Sequence, residues 1–171
     1  KPVYWCLDCR SALAEAEVEY EDKPSPAVDA AFPVVDNRDL ERRVGLEAGA
    51  LGDEPVSVVI WTTTPWTLPG NQAVALQETF SYALVEAERA GDDEHAHEAQ
   101  RFIIAADLAE SCLQRYGMTL RSKLAEFPGK ALERLTLQHP YDERQVPVIL
   151  AEHVTLDAGT GAVHTAPGHG L

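Results

Sequence analysis

The chain has 171 residues, of which 45% are apolar, and its net charge is −14. This length and composition predict a single domain over residues 1–171 with a substantial core. The acidic balance argues against tight, autonomous binding to nucleic acid, because phosphate contacts usually need a basic surface. No apolar run could span a bilayer and no signal peptide is recognisable, so we expect a cytoplasmic protein without membrane contact.

The three cysteines are Cys6, Cys9 and Cys112. An odd number gives no disulfide framework and fits a reducing compartment. Cys6 and Cys9 have half the spacing of a zinc knuckle, whereas a structural zinc site takes four ligands. Two unligated thiols are therefore the favoured interpretation, and the alternative is a knuckle completed by ligands outside this chain.

The first half of the chain predicts strands with one helix between them. Residues 1–20 form an extended N-terminal segment, in which Val18 and Tyr20 are candidates for a short strand. Alternation predicts a strand over residues 28–35, and residues 39–48 follow as a short helix capped by Asn37 or Asp39. The apolar run at residues 56–61 predicts a buried strand.

Most of the second half is also predicted as short strands. We expect a strand at residues 73–76, a hairpin of residues 82–85 with 102–105, and a strand at residues 146–150. The polar stretch 88–100 reads as a solvated insertion, with His95 and His97 as surface histidines. An amphipathic helix is expected at residues 107–116, ending at Gly117. About eight strands with two or three helices predict an α/β fold, a mixed, mostly antiparallel, barrel-like sheet with peripheral helices.

A threonine-rich loop, WTTTPWTLPGN at residues 61–71, is the first candidate for chemistry. Alternation along a strand would place Thr62 and Thr64 on one side and Thr63 on the other. Prolines then fix the backbone as it leaves the sheet. Threonine also favours strands for structural reasons alone. The two tryptophans and Asn71 in the same loop shift the interpretation towards a site.

The second candidate stretch is GTGAVHTAPGHG, residues 159–170. Its glycines allow tight turns and leave backbone N–H groups available to a ligand. His164 is predicted in mid-strand and His169 in the glycine-rich loop. A lone strand histidine is more often structural, but the neighbouring turns and Thr165 would bring this one to a pocket rim. Because no nucleophilic triad or zinc spacing is recognisable, the pattern suggests a site that orients water around a small substrate.

Both stretches, together with residues 1–20, resemble the editing insertion, or connective peptide 1, of bacterial isoleucyl-tRNA synthetases. The resemblance covers nearly the whole chain and is weakest across residues 88–100. In the related valyl and leucyl enzymes, arginine typically stands at the position of Thr64 and the segment PWTLPGN is absent. Thr64 therefore points to the isoleucine enzyme.

The resemblance implies hydrolysis of valine wrongly attached to isoleucine tRNA, with valyl-adenylate as a further candidate substrate. A synthetic site rejects valine poorly, because one missing methylene is worth only about 1–3 kcal/mol; this family is the standard illustration of that value. The expected partners are the 3′ end of tRNA(Ile) carrying valine and the rest of the same synthetase chain, as a monomer. No metal or cofactor is expected for the editing domain, since ATP and Mg²⁺ belong to the synthetic domain.

Roles for individual residues also follow from the resemblance. The residues expected to line the pocket and to position the ester and the attacking water are Thr62, Thr63, Thr64 and Asn71. His164 is expected to limit the size of the bound side chain. The other residues expected near the substrate are Trp66, Thr67, Gly168 and His169.

The chain departs from the family pattern at its end. The family continues after PGHG into an acidic stretch whose second Asp is expected to bind the substrate ammonium, whereas Leu171, a candidate vector residue, ends this chain. A lost charge-assisted contact costs about 1.5–3 kcal/mol, so we expect weaker catalysis from the isolated fragment. The alternatives are a non-catalytic tRNA-positioning module with a truncated site and an unrelated metal hydrolase. The three threonines and His164 favour the editing hydrolase.

Overall fold

The computed structural model describes residues 3–22, 24–89 and 99–168. These residues form eleven strands and two α-helices, together with four short 3₁₀ turns. The strands are β1 (Tyr4–Cys6), β2 (Ser11–Leu13), β3 (Val28–Pro33), β4 (Val56–Thr62), β5 (Ala73–Leu76), β6 (Ser81–Arg89), β7 (Gln100–Ala105), β8 (Met118–Pro128), β9 (Thr136–Gln138), β10 (Gln145–Leu150) and β11 (Ala162–Thr165). The helices are α1 (Asn37–Val44) and α2 (Ala109–Tyr116).

Two larger sheets and one small hairpin make up the fold. The five-stranded sheet has the order β3-β4-β7-β6-β8, the four-stranded sheet has the order β11-β5-β10-β9, and β1 pairs with β2. Only the pairs β4–β7 and β5–β10 are parallel in the described part of the chain. A bridge between Val34 and Leu137 joins the two larger sheets. The mixed, mostly antiparallel fold class with peripheral helices is confirmed, as two joined sheets whose outer strands are β8 and β11 rather than as a closed cylinder.

Strand β4 lies inside the five-stranded sheet, and its surroundings explain why its sequence is apolar without alternation. Val58 and Ile60 belong to the larger core cluster, which also contains residues of the four-stranded sheet. Val59 faces the opposite way and packs in a second cluster with Cys112 and Leu113 of α2. A strand covered on both faces buries consecutive residues, so the apolar run at residues 56–61 correctly predicted a buried strand.

Helix α1 begins and ends earlier than the sequence predicted. Its cap is Asp36, whose carboxylate accepts the backbone N–H groups of Arg38 and Asp39 at 2.9 and 3.2 Å. The predicted caps, Asn37 and Asp39, are wrong because both lie inside the helix. The side-chain amide of Asn37 instead donates to two carbonyls of the loop at residues 52–54. The helix ends at Val44 because Gly45 has a left-handed backbone with φ 74°.

The N-terminal segment differs from the prediction of a strand at Val18 and Tyr20. The residues that pair are those of β1 and β2, with Tyr4 opposite Leu13. Tyr20 lies outside any strand, but its hydroxyl is 3.1 Å from the hydroxyl of Tyr4. A CxxC turn joins the two short strands, and strands of three residues carry too little alternation to be recognised from sequence.

Strand β8 was not predicted, although it is eleven residues long. It is an outer strand of the sheet and most of its residues are partly or fully exposed. Its pairing with β6 shifts register at two places, between Leu84 and Val85 and between Glu86 and Ala87. Irregular register and exposure on both faces remove the apolar alternation by which a strand is recognised.

The hairpin and the second helix agree with the prediction, with changed boundaries. Strands β6 and β7 pair antiparallel, with Leu84 opposite Ile103. Residues 90–98, with His95 and His97, lie outside the described residues. Helix α2 begins at Ala109 after a 3₁₀ turn and ends before Gly117, which has φ 66°. Neither helix in the described ranges is long and apolar enough to cross a membrane.

A buried carboxylate ties α1 to the loop that follows it. Glu41 accepts the backbone N–H groups of Leu51 at 2.7 Å and of Gly49 at 2.8 Å. These bonds, that from Leu51 first, lower the pKa of the Glu41 carboxyl below its ordinary value of 4.5. Hydrogen bonds to the charged form favour that form, so the carboxylate stabilises the folded chain at neutral pH.

Glu41→Gln should therefore lower the melting temperature at pH 7. The melting temperature of this variant should also fall less between pH 7 and pH 3 than that of the parent chain. A lowered folded-state pKa contributes stability at pH values above the unfolded pKa of 4.5, and this stability is lost as pH falls through the folded pKa. Thermal melts between pH 7 and pH 3 measure the effect, and the exposed Glu47→Gln serves as the control. Equal acid dependence in Glu41→Gln and the parent chain would contradict this role.

Candidate functional site

The two candidate stretches meet between β4 and β11. The threonine loop leaves the end of β4 and forms a 3₁₀ turn over Pro65–Gly70, while β11 lies beside β5, with His164 opposite Val74. The N–H of Gln72 donates to the carbonyl of Thr165 at 2.8 Å. The chain topology thus places the threonine loop and the strand histidine side by side, although they are about 100 residues apart in sequence.

A buried hydrogen-bond network connects four of the predicted site residues. Thr67 Oγ1 lies 2.8 Å from His164 Nε2 and donates to the carbonyl of Thr64 at 2.7 Å. The amide nitrogen of Asn71 lies 3.2 Å from His164 Nδ1 and donates to the carbonyl of Ala73 at 2.9 Å. His164 is 3% exposed and Asn71 is 0% exposed. The network holds the imidazole ring from both of its nitrogens.

The threonines divide between two environments, as strand alternation predicts. The hydroxyl of Thr62 is buried, accepts the backbone N–H of Thr64 at 3.0 Å and lies 3.2 Å from the Thr64 hydroxyl. Thr63 is exposed, and its carbonyl accepts the hydroxyl of Ser25 at 3.3 Å. Thr62 and Thr64 therefore share one side of the backbone, next to the histidine network.

Two side chains from a distant turn hold the threonine loop in place. His139 Nε2 donates to the carbonyl of Leu68 at 2.9 Å, and Arg144 Nη2 donates to the carbonyl of Pro69 at 2.6 Å. His139 is buried and packs edge-on against Phe32. Neither residue could be predicted from the sequence, because they lie about 70 positions from the loop and no motif marks them.

The opposite wall of the site is fixed from behind. The carbonyl of Gly159 accepts a hydrogen bond from the Cys112 thiol at 3.2 Å. The carbonyl of Thr160 accepts the N–H of Ala105 at 2.9 Å, and the carbonyl of Gly161 accepts the Tyr82 hydroxyl at 2.6 Å. Burial raises the pKa of Tyr82 to about 12 and also raises the pKa of Cys112. Both groups therefore stay protonated at neutral pH and can donate to the wall.

A cleft of about 300 Å³ lies between the loop and this wall. Its lining consists of the end of β4, the segment before β11 and the first two residues of β11: Trp61, Thr62, Thr63, His153, Thr155, Asp157, Ala158, Gly159, Thr160, Gly161, Ala162 and Val163. Thr62 and Thr63 border this cleft directly, whereas His164 is not part of its lining. Larger depressions of about 920 and 640 Å³ lie around Arg101 and along α2, away from the threonine and histidine cluster.

The remaining predicted site residues lie at the edge of this region. Trp66 is 67% exposed within the 3₁₀ turn that carries Thr67. Gly168 is exposed and has φ 70°, with open space where a Cβ would stand. His169 lies outside the described residues. The structure thus brings Thr62, Thr64, Thr67, Asn71 and His164 together.

The CxxC sequence forms the turn between β1 and β2. The backbone N–H of Cys9 points at the sulfur of Cys6, 3.3 Å away. Hydrogen bonds from Cys9 and Asp8 lower the pKa of the Cys6 thiol, which favours the thiolate that binds metals. Two thiolates supply only half of a structural zinc site. Among the residues that the structure describes, no group of three or more His, Cys, Asp or Glu side chains is arranged to bind a metal.

The purified chain should contain well under one zinc ion per molecule, because the turn offers two of the four ligands that tetrahedral zinc requires. Elemental analysis after dialysis measures the content, with Cys6→Ser as the matched variant. Stoichiometric zinc in the parent chain that is lost in Cys6→Ser would contradict this prediction.

The fold is that of the editing domains of leucyl-tRNA synthetases. The structure resembles the editing domain of the cytosolic leucyl-tRNA synthetase of P. knowlesi, with a TM-score of 0.68 at 11% identity, over 87% of this chain and 62% of that one. The corresponding domain of P. falciparum gives a TM-score of 0.64 at 11% identity, over 81% and 60% of the two chains. The chain therefore has the fold of a synthetase editing domain. No protein-family profile matches it.

Sequence similarity identifies the branch of these enzymes. The chain is 57% identical over 170 residues to the isoleucine–tRNA ligase of Thioalkalivibrio sulfidiphilus and 54% identical over 171 residues to that of Idiomarina loihiensis. These alignments cover 99% and 100% of this chain but only 17% and 18% of the two ligases. Along its whole length, the chain is homologous to a segment of the isoleucine–tRNA ligases.

Proposed function

We propose that the chain, over residues 1–171, is the editing module of an isoleucine–tRNA ligase and hydrolyses valine wrongly esterified to tRNA(Ile). The observation that carries the proposal is the buried network around His164, in which Asn71, Thr67 and Thr64 of the threonine loop meet a strand from the other end of the chain. Homology to the isoleucine–tRNA ligases supports tRNA(Ile) as the tRNA, and the choice of valine follows from the family resemblance.

The proposed reaction is attack by water on an ester carbonyl. Such a reaction needs a positioned water and polar groups aimed at the developing oxyanion, and it does not need a covalent nucleophile. The hydroxyls of Thr62 and Thr64 lie 3.2 Å apart beside the cleft and can hydrogen-bond to water or ester. In this proposal the threonine loop positions the reacting atoms, and His164 limits the size of the amino-acid side chain.

The proposed partner is the 3′ end of tRNA(Ile), presented by the rest of the same synthetase. The net charge of −14 gives this chain little electrostatic attraction for RNA. A ligase that binds the body of the tRNA elsewhere would deliver the aminoacyl end at high effective concentration. Experiments on the proposed function therefore use a chimaeric ligase, in which this chain replaces the matching segment of a homologous isoleucine–tRNA ligase.

Thr63→Pro in the chimaeric ligase should abolish clearance of valyl-tRNA(Ile) and leave isoleucine activation unchanged. Proline removes the N–H of residue 63 and fixes its φ near −65°, at the point where the chain bends out of β4 towards the threonine loop. The synthetic site is expected in a different part of the ligase. Accumulation of valyl-tRNA(Ile) and isoleucine-dependent pyrophosphate exchange are the two measurements.

Thr63→Ala is the matched control, because it removes the hydroxyl but keeps the backbone N–H. We expect it to retain more clearance than Thr63→Pro. Clearance of valyl-tRNA(Ile) at the parent rate by Thr63→Pro would contradict the proposed function. It would favour the alternative of a non-catalytic module that only positions tRNA.

A further inference from the structure

The orientation of Asn71 fixes the direction of its hydrogen bonds. Its Nδ2 atom lies 2.9 Å from the carbonyl oxygen of Ala73, which can only accept. Turning the amide over would place two oxygen acceptors at that distance in a buried site, at a substantial energetic cost. The amide nitrogen therefore faces Ala73, and its second N–H is directed at His164 Nδ1, 3.2 Å away.

The tautomer of His164 follows from this orientation. An amide nitrogen only donates hydrogen bonds, so Nδ1 of His164 must carry a lone pair. In the neutral ring the proton then belongs to Nε2, which lies 2.8 Å from Thr67 Oγ1. The Thr67 hydroxyl in turn donates to the carbonyl of Thr64 at 2.7 Å. The protons are thus ordered in one direction, from Asn71 through His164 and Thr67 to the backbone of the threonine loop.

We propose that Asn71 acts as a positioning residue that holds His164 in its neutral tautomer with the proton on Nε2, so that the size-limiting ring is uncharged. This inference rests on the proposed function, which assigns His164 its size-limiting role. It changes the expectation drawn from family resemblance that Asn71 itself contacts the ester, because Asn71 is 0% exposed and its amide nitrogen is directed to Ala73 and His164.

The ordered protons determine which groups the His164 ring presents to a substrate. The N–H of Nε2 is directed to Thr67, and the lone pair of Nδ1 is directed to Asn71. A side chain that reaches the ring meets C–H groups and a neutral aromatic face. Such a surface suits the apolar, branched side chain of valine, and exclusion of a larger residue then depends on shape rather than on polar contacts.

Nitrogen-15 NMR of the histidine-labelled chain tests the inference without any assay of hydrolysis. At pH 8, the two ring nitrogens of His164 should show one lone-pair shift at Nδ1 and one N–H shift at Nε2. Comparison with His164→Ala identifies the signals among those of the six histidines. A protonated Nδ1 in the parent chain would overturn the proposal.

Asn71→Asp provides the complementary variant. A carboxylate only accepts hydrogen bonds, so it should draw the proton to Nδ1 and shift both His164 resonances. His139 is an internal control, because it is buried nearby and donates from Nε2 to the carbonyl of Leu68, and its signals should not change. Unchanged His164 signals in folded Asn71→Asp would also overturn the proposal. If this variant does not fold, the spectrum of the parent chain still decides.

The two proposals fail separately. If the chimaeric ligase does not clear valyl-tRNA(Ile), the proposed function is wrong, whatever the tautomer of His164. If clearance occurs while Nδ1 carries the proton, the editing function stands and the role assigned to Asn71 is wrong.

Discussion

His164→Ala should produce a chimaeric ligase that hydrolyses correctly charged isoleucyl-tRNA(Ile) while still clearing valyl-tRNA(Ile). The imidazole is 3% exposed and is held by the sheet and by Thr67 and Asn71, so it cannot easily move aside for a larger ligand. Overpacking a rigid site by a methylene costs about 1–3 kcal/mol, or roughly 5- to 150-fold in rate. We expect hydrolysis of the isoleucyl ester to rise within this range. Deacylation of both charged tRNAs measures the effect.

A structural role for His164 gives a different result. If the ring only supports the fold, its loss should harm both reactions together and lower the melting temperature. His139→Ala is the matched control, because it removes another buried imidazole that holds the same loop from the far side. A folded His164→Ala variant that still spares isoleucyl-tRNA(Ile) would show that the size-filter role is wrong.

Gly161→Ala should lower the free energy of unfolding by roughly 3 kcal/mol. The backbone at Gly161 is left-handed, with φ 75°, and a Cβ there would stand 2.4 Å from the Cβ of Ala105. A left-handed non-glycine residue costs about 1–2 kcal/mol, and overpacking adds about 1–3 kcal/mol. The wall cannot shift to relieve the clash, because the Tyr82 hydroxyl holds the carbonyl of Gly161. Urea denaturation measures the change in free energy of unfolding.

Gly45→Ala separates the two contributions. Gly45 has nearly the same backbone angle, φ 74°, but nothing lies within 4 Å of its added Cβ. It should therefore show only the conformational cost of about 1–2 kcal/mol. Equal losses of unfolding free energy in the two alanine variants would mean that the clash with Ala105 adds no cost at Gly161.

Much of the fold could be predicted because burial leaves a pattern in the sequence. The run at residues 56–61 is buried on both faces and belongs to the interior strand β4, and Gly117 ends α2 as predicted. The predictions failed where the sequence carries no distinguishing pattern. The exposed outer strand β8 shows no alternation, and the cap of α1 depends on which of three neighbouring polar side chains, Asp36, Asn37 or Asp39, accepts the N–H groups of its first turn.

The candidate site was only partly visible in the sequence. Thr62, Thr64 and His164 belong to two short stretches whose residue types made them candidates, and their roles were expected from the family resemblance. The residues that support them belong to no motif: His139 and Arg144 hold the loop, and Tyr82 holds the wall, from distant parts of the chain. The tautomer of His164 is also a property of the folded arrangement, because it depends on a carbonyl of Ala73 that fixes the amide of Asn71.

The central claim is that this chain removes valine from tRNA(Ile) and spares isoleucine. The direct measurement is the rate at which the chimaeric ligase releases each amino acid from purified valyl-tRNA(Ile) and isoleucyl-tRNA(Ile). We expect release of valine at least about tenfold faster than release of isoleucine, in line with the discrimination that one methylene can supply, and release of isoleucine near the rate without enzyme. Equal release of both amino acids, or no release of valine above the rate without enzyme, would contradict the account.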